Sequence, residues 1–129
     1  MNGQARAGWD VDLAEGVERE DAFARVMKHG TVEHKRDYGC LDTGNLYVEY
    51  RQTCSDGTDR PSGIAVSTAD YWAFEFAEEH WLIVPTEGLR ALAREVYRKY
   101  PNRRVKGGDG KKTEGVLLPI AKLVQGATK

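Results

Sequence analysis

Hydrophobic and polar positions along the chain change period several times, and each change marks an element. From Asp12 to Lys28 the apolar residues Leu13, Val17, Ala24 and Met27 recur at helical spacing, with Asp12 as N-cap and Gly30 as the stop. Glu20 falls inside that stripe, on the face expected to turn inward. The period then drops to two. "TVEHKRD" reads as one strand and "NLYVEYRQ" as a second, joined by the turn-rich "YGCLDTG". "TCSDGTDRPSG" is polar with Gly and Pro and reads as an exposed loop. In "STADYWAFEFAEE" the spacing of Ala69, Trp72, Ala73 and Phe76 predicts a second helix, started by Ser67 with Asp70 three residues on. "HWLIVP" is a continuous apolar run that suits a strand buried on both faces. "TEGLRALAREVYRKYP" is the clearest helix and is stopped by Pro101. "VLLPIAKLV" adds a short apolar element near the end. The order predicts an α/β fold, a small mixed sheet flanked by helices.

Composition narrows this little. The 129 residues fit one domain, 1–129, with a flexible N-terminus at about 1–9 and a basic glycine-rich loop at about 101–115. Hydrophobic residues make up 40% and charged residues 30%, ordinary for a soluble globular chain. The formal net charge is −1, so a nucleic-acid partner must be met by local patches, not by a global basic excess. Cys40 and Cys54 form no metal-ligating spacing and are read as reduced thiols of an intracellular, cytoplasmic protein. There is no apolar signal region and no run long enough for a bilayer, which predicts no membrane partner.

Chemistry enters through the two central strands. Paired as an antiparallel hairpin about Leu41, they would set Glu33 opposite Glu49 and Lys35 opposite Tyr47, with Arg51 on the same face. Charges alternating on a strand usually mark a solvated face. Two carboxylates directly across a ladder, however, repel each other, and a divalent cation between them removes the repulsion. Such hard oxygen ligands suit Mg²⁺, with Mn²⁺ as a substitute. Lys35 could then orient an attacking water or offset charge growing on a phosphate, and Glu20 could add a third carboxylate. His34 points to the other face.

These residues, with "TGNLYVEY", "PSGIAVSTADYWAF" and "WLIVPTEGLRAL", resemble the PD-(D/E)XK nuclease superfamily, and specifically its small phage endonucleases and Holliday-junction resolvases. The resemblance runs from about Asp12 to Leu92. It implies a restriction-endonuclease-like fold and a Mg²⁺-dependent endonuclease, a hydrolase of DNA phosphodiester bonds. Glu33 would match the first strand acid, Glu49 the second and Glu20 the helical acid. Two departures stand out: Val32 takes the place of the motif's proline, and Arg51 occupies the lysine slot after Glu49. Either the lysine has migrated to Lys35, or Glu33-His34-Lys35 is itself the acid-x-lysine motif, with a leading acid such as Glu20 or Asp12. The alternative is a non-catalytic nucleic-acid-binding or assembly protein on the same fold.

For the DNA, Arg51, Arg103, Arg104, Lys106, Lys111 and Lys112 are candidate phosphate contacts, beside glycines whose amides could approach a phosphate. Ser62, Ser67 and Thr68 could bond phosphate at the N-terminus of the second helix. Tyr38, Tyr47 and Trp72 are candidate stacking residues, with core packing the stronger role for Trp72. Cutting both strands would call for two sites and so a homodimer.

Overall fold

The structure is a computed structural model that describes residues 3–127, with side chains described from 15 to 125. It is mixed α/β: four helices and two small sheets. Helix α1 spans Gly3–His29, strand β1 Val32–Arg36, helix α2 Cys40–Thr43, strand β2 Asn45–Thr53 and strand β3 Asp59–Pro61. Strands β4 (Tyr71–Ala77) and β5 (His80–Pro85) follow, then helix α3 (Thr86–Lys99), strands β6 (Arg104–Gly107) and β7 (Thr113–Pro119), and helix α4 (Ile120–Ala127). Helix α1 takes in all but the first two residues of the expected flexible segment 1–9, and those two lie outside the described residues. Among the described residues no helix is long and apolar enough to cross a membrane.

The chain divides into two units, residues 1–31 and 32–129. The first is the long helix. Its expected stripe is not buried: Val17 and Met27 are about half exposed and Glu20 is exposed, while the Leu13 side chain lies outside the described residues.

The second unit holds both sheets. One has the order β1-β4-β5, with β1 parallel to β4 and β5 antiparallel to it. The other has the order β3-β2-β7-β6, all antiparallel. This corrects two expectations. β1 and β2 do not form a hairpin, because each finds its partner farther along the chain. And residues 67–79 do not form a helix: Tyr71–Ala77 is the central strand of the first sheet. Trp72, Ala73, Phe74 and Glu75 are all buried, and a strand covered on both faces loses the alternation that would distinguish it from a helix.

Within the second unit one core joins both sheets with α2, α3 and α4. Leu46 and Val48 of β2, Trp72 and Phe74 of β4, Leu89 and Val96 of α3, and Val116 and Leu118 of β7 are buried together. Burying a side chain of this kind stabilises by roughly 1.5–3 kcal/mol. Arg90 fastens α3 to the loop before β4, its Nε donating to the Ile64 carbonyl (3.0 Å) and its Nη2 to the Ser67 carbonyl (2.5 Å). Only glycine fits at Gly63, whose φ is 53° and where a Cβ would lie 2.2 Å from the Glu49 carbonyl oxygen. Cys40 and Cys54 are both free.

Candidate functional site

Strand β1 is an edge strand, and its period of two sorts its side chains cleanly. Glu33 and Lys35 are in register with Trp72 and Phe74 of β4, so they share the core side of the sheet. At the edge they are not covered; their side chains are 44% and 39% exposed. Lys35 Nζ lies 3.7 Å from Glu33 Oε1 and 5.5 Å from the centre of the Trp72 ring. The buried indole thus supplies a fixed surface for the lysine stem, and cation–π attraction helps hold the ammonium beside the carboxylate. An exposed ion pair of this geometry contributes little to folding, about 0–1 kcal/mol. The following residue on that side, Asp37, accepts the Tyr47 N–H at 3.0 Å and ties the end of β1 to β2.

The expected partner Glu49 is not part of this face. Glu49 belongs to the second sheet, where Gly115 of β7 stands opposite it. The expected Glu33–Glu49 pair across one ladder is therefore absent, because the ladder it required is absent. Glu20 lies in the first unit. Among the described residues no three His, Cys, Asp or Glu side chains gather as a metal site. Mg²⁺ does not demand three, since one or two carboxylates with water and a substrate phosphate suffice, and the hard oxygens of Glu33 fit that requirement.

The opposite side of β1 carries a cluster that the sequence did not reveal. Glu75 of β4 is buried, 7% exposed, yet acidic. The Tyr38 hydroxyl donates to its Oε2 (2.5 Å), and His34 Nε2 stands 3.0 Å from its Oε1. The Tyr38 hydrogen bond, helped by His34 and Arg36, holds the Glu75 carboxyl below its ordinary value, while the same bond raises the Tyr38 phenol. Trp81 Nε1 also approaches His34 Nε2, at 3.1 Å. One nitrogen cannot donate to a carboxylate and accept from an indole at once. An ionised Glu75 favours the form in which Nε2 donates to it. His34 thus faces away from Glu33 and Lys35, as its place on the strand predicts.

The candidate phosphate contacts divide. Arg103 Nη1 donates to Asn45 Oδ1 (3.0 Å), and Arg104 donates to the Tyr97 carbonyl and stacks on the Tyr97 ring, so both are engaged within the fold. Arg51 pairs with Glu114. Lys106, Lys111 and Lys112 make no ion pair among the described residues. Ser62, Ser67 and Thr68 lack the helix N-terminus that was to present them, since a strand follows. Ser62 is buried, and Ser67 Oγ accepts the Trp72 indole N–H at 3.0 Å. Of the candidate stacking residues, Trp72 is core, and Tyr47 lies across Gly107 and Gly115, where a Cβ would come within 2.7 and 2.8 Å of its ring. Compared with known proteins, the chain matches no family model, no curated protein and no solved structure.

Proposed function

We propose that the chain is a Mg²⁺-dependent nuclease that hydrolyses DNA phosphodiester bonds on a restriction-endonuclease-like variant of the α/β fold. The observation that carries this reading is the Glu33–Lys35 pair, presented together and half exposed on an edge strand at 3.7 Å. It favours Glu33-His34-Lys35 as the acid-x-lysine motif over a lysine migrated to serve Glu49. Glu33 would hold the metal, which lowers the pKa of a bound water and offsets phosphate charge when present. Lys35 would orient the attacking water and stabilise charge on the phosphate oxygens.

The test is cleavage of supercoiled, linear, single-stranded and branched DNA with Mg²⁺, Mn²⁺ or EDTA. Metal-dependent cleavage should fall about 100-fold or more in Glu33→Gln and in Lys35→Ala. Undiminished cleavage in both variants would remove these residues from the chemistry. Lys111 and Lys112, which make no ion pair among the described residues, favour one second reading, a non-catalytic DNA-binding protein. Metal-independent binding without cleavage is its signature.

A further inference from the structure

The second sheet ends in a polar pocket of about 100 Å³. It lies where the β2–β3 and β6–β7 pairs meet, and its walls include Arg51, Thr53, Lys106 and Lys111, with Asp59 and Glu114. That is room for several waters, and so for one phosphate group.

Its charges are unevenly committed. Glu114 accepts from Arg51, and this bond holds the Glu114 carboxyl below its ordinary value. Asp59 Oδ1 accepts from Thr53 Oγ1 at 2.7 Å. Lys106 stands opposite Glu114 on the β6–β7 ladder and its charge helps hold that carboxyl down, though the two form no close ion pair. Lys111 makes no ion pair among the described residues, so its ammonium is left for a ligand. Three cations face two carboxylates, and the balance is positive.

The loop that brings Lys111 to the pocket is built at a cost. Gly108 and Gly110 take φ of 73° and 69°, as glycines readily do, but Lys111 takes 55°. A side chain in that region costs about 1 kcal/mol or more, and a third glycine would avoid it. The loop is fastened on both sides: Lys111 N–H donates to the Gly108 carbonyl (3.1 Å), and Thr53 N–H donates to the Lys112 carbonyl (2.8 Å). The strained residue is thus a lysine, held in place, at the mouth of a polar cavity.

We propose that this pocket binds one phosphate group through Lys106, Lys111 and the remaining N–H groups of Arg51. The identity of that group as a DNA backbone phosphate rests on the nuclease reading; the pocket itself does not.

The full chain carrying Glu33→Gln, which should not cleave, is titrated with inorganic phosphate and with short single-stranded and duplex oligonucleotides. Amide NMR signals follow the pocket. Saturable shifts are expected at Thr53, Lys106 and Lys111 to Thr113, and they should vanish when Lys106→Ala and Lys111→Ala are combined. Lys111→Gly relieves the backbone strain, so it should keep the melting temperature while weakening phosphate binding. That outcome separates lost charge from a lost fold. With oligonucleotides, each phosphate contact removed should reduce the slope of log K against log salt by about 0.9 for duplex or 0.7 for single strands. Phosphate that shifts none of these amides overturns the proposal, as does binding unaltered in both variants. If phosphate binds and oligonucleotides do not, the pocket stands with a small phosphate ester as its ligand, and the nuclease reading fails. If oligonucleotides bind with an unchanged salt slope in the lysine variants, and the chain with Glu33 intact cleaves them, the pocket is overturned and the nuclease reading stands.

Discussion

Glu75 is an acid in the middle of a buried strand, and its environment is arranged to keep it charged. Its carboxyl is held below the ordinary value, first by the Tyr38 hydroxyl and then by His34 and Arg36. A group depressed in this way stabilises the fold above its unfolded pKa, and that contribution is lost as pH falls through the folded pKa. Thermal melts from about pH 7 to 3 should therefore show wild type losing stability below about pH 4 more steeply than Glu75→Gln. Parallel curves would mean that the cluster does not hold the carboxylate. No sequence pattern announced this residue. Glu75 occupies a position in "YWAFEFA" that looks like a polar interruption, and its partners Tyr38 and His34 come from a segment far from it in the chain. Glu33 and Lys35 were legible for the opposite reason, since residues two apart on a strand share a side whatever the strand pairs with.

Among the elements, those with a single covered face were readable. α3 has apolar residues on one side and charged ones on the other, and β1 and β2 alternate. β4 does not, because Trp72 and Phe74 on one face and Ala73 and Glu75 on the other are all buried. The hairpin expected of β1 and β2 followed the tendency of successive strands to pair. Here that tendency yields to partners with better faces: β2 sets Leu46 and Val48 beside Leu118 and Val116 of β7. Arg90 shows how a helix is fixed by more than its apolar stripe. Its guanidinium satisfies two carbonyls of the loop that precedes β4. Arg90→Ala should cost about 1–3 kcal/mol in urea unfolding, because it strips charged donors from buried or half-buried acceptors. A change under about 0.5 kcal/mol would show that the loop holds itself.

At the level of the molecule, the buried core found among the described residues comes from residues 40–123. The second unit therefore contains its own core, and that is the requirement for folding alone. A fragment of residues 32–129 should unfold in one cooperative transition with the near-ultraviolet circular dichroism of a packed interior. A fragment with secondary structure but no cooperative melt would contradict this. The first unit is a single helix with Val17, Phe23 and Met27 exposed, and none of its described residues is buried. Helices without tertiary packing are marginal in water, so a peptide of residues 1–31 should be at most partly helical.

The pairing of β1 with β4 and of β2 with β7 has a kinetic consequence. Both ladders join segments far apart in sequence, and the chain between must be closed into a loop before either ladder gains anything. Only β4–β5, β6–β7 and β2–β3 can form locally. Folding should therefore take milliseconds to seconds, at the slow end for a domain of this size. Stopped-flow refolding should find the β4–β5 hairpin formed ahead of the edge strand. The Glu33–Lys35 face would then be assembled late, when β1 docks on a sheet that already exists.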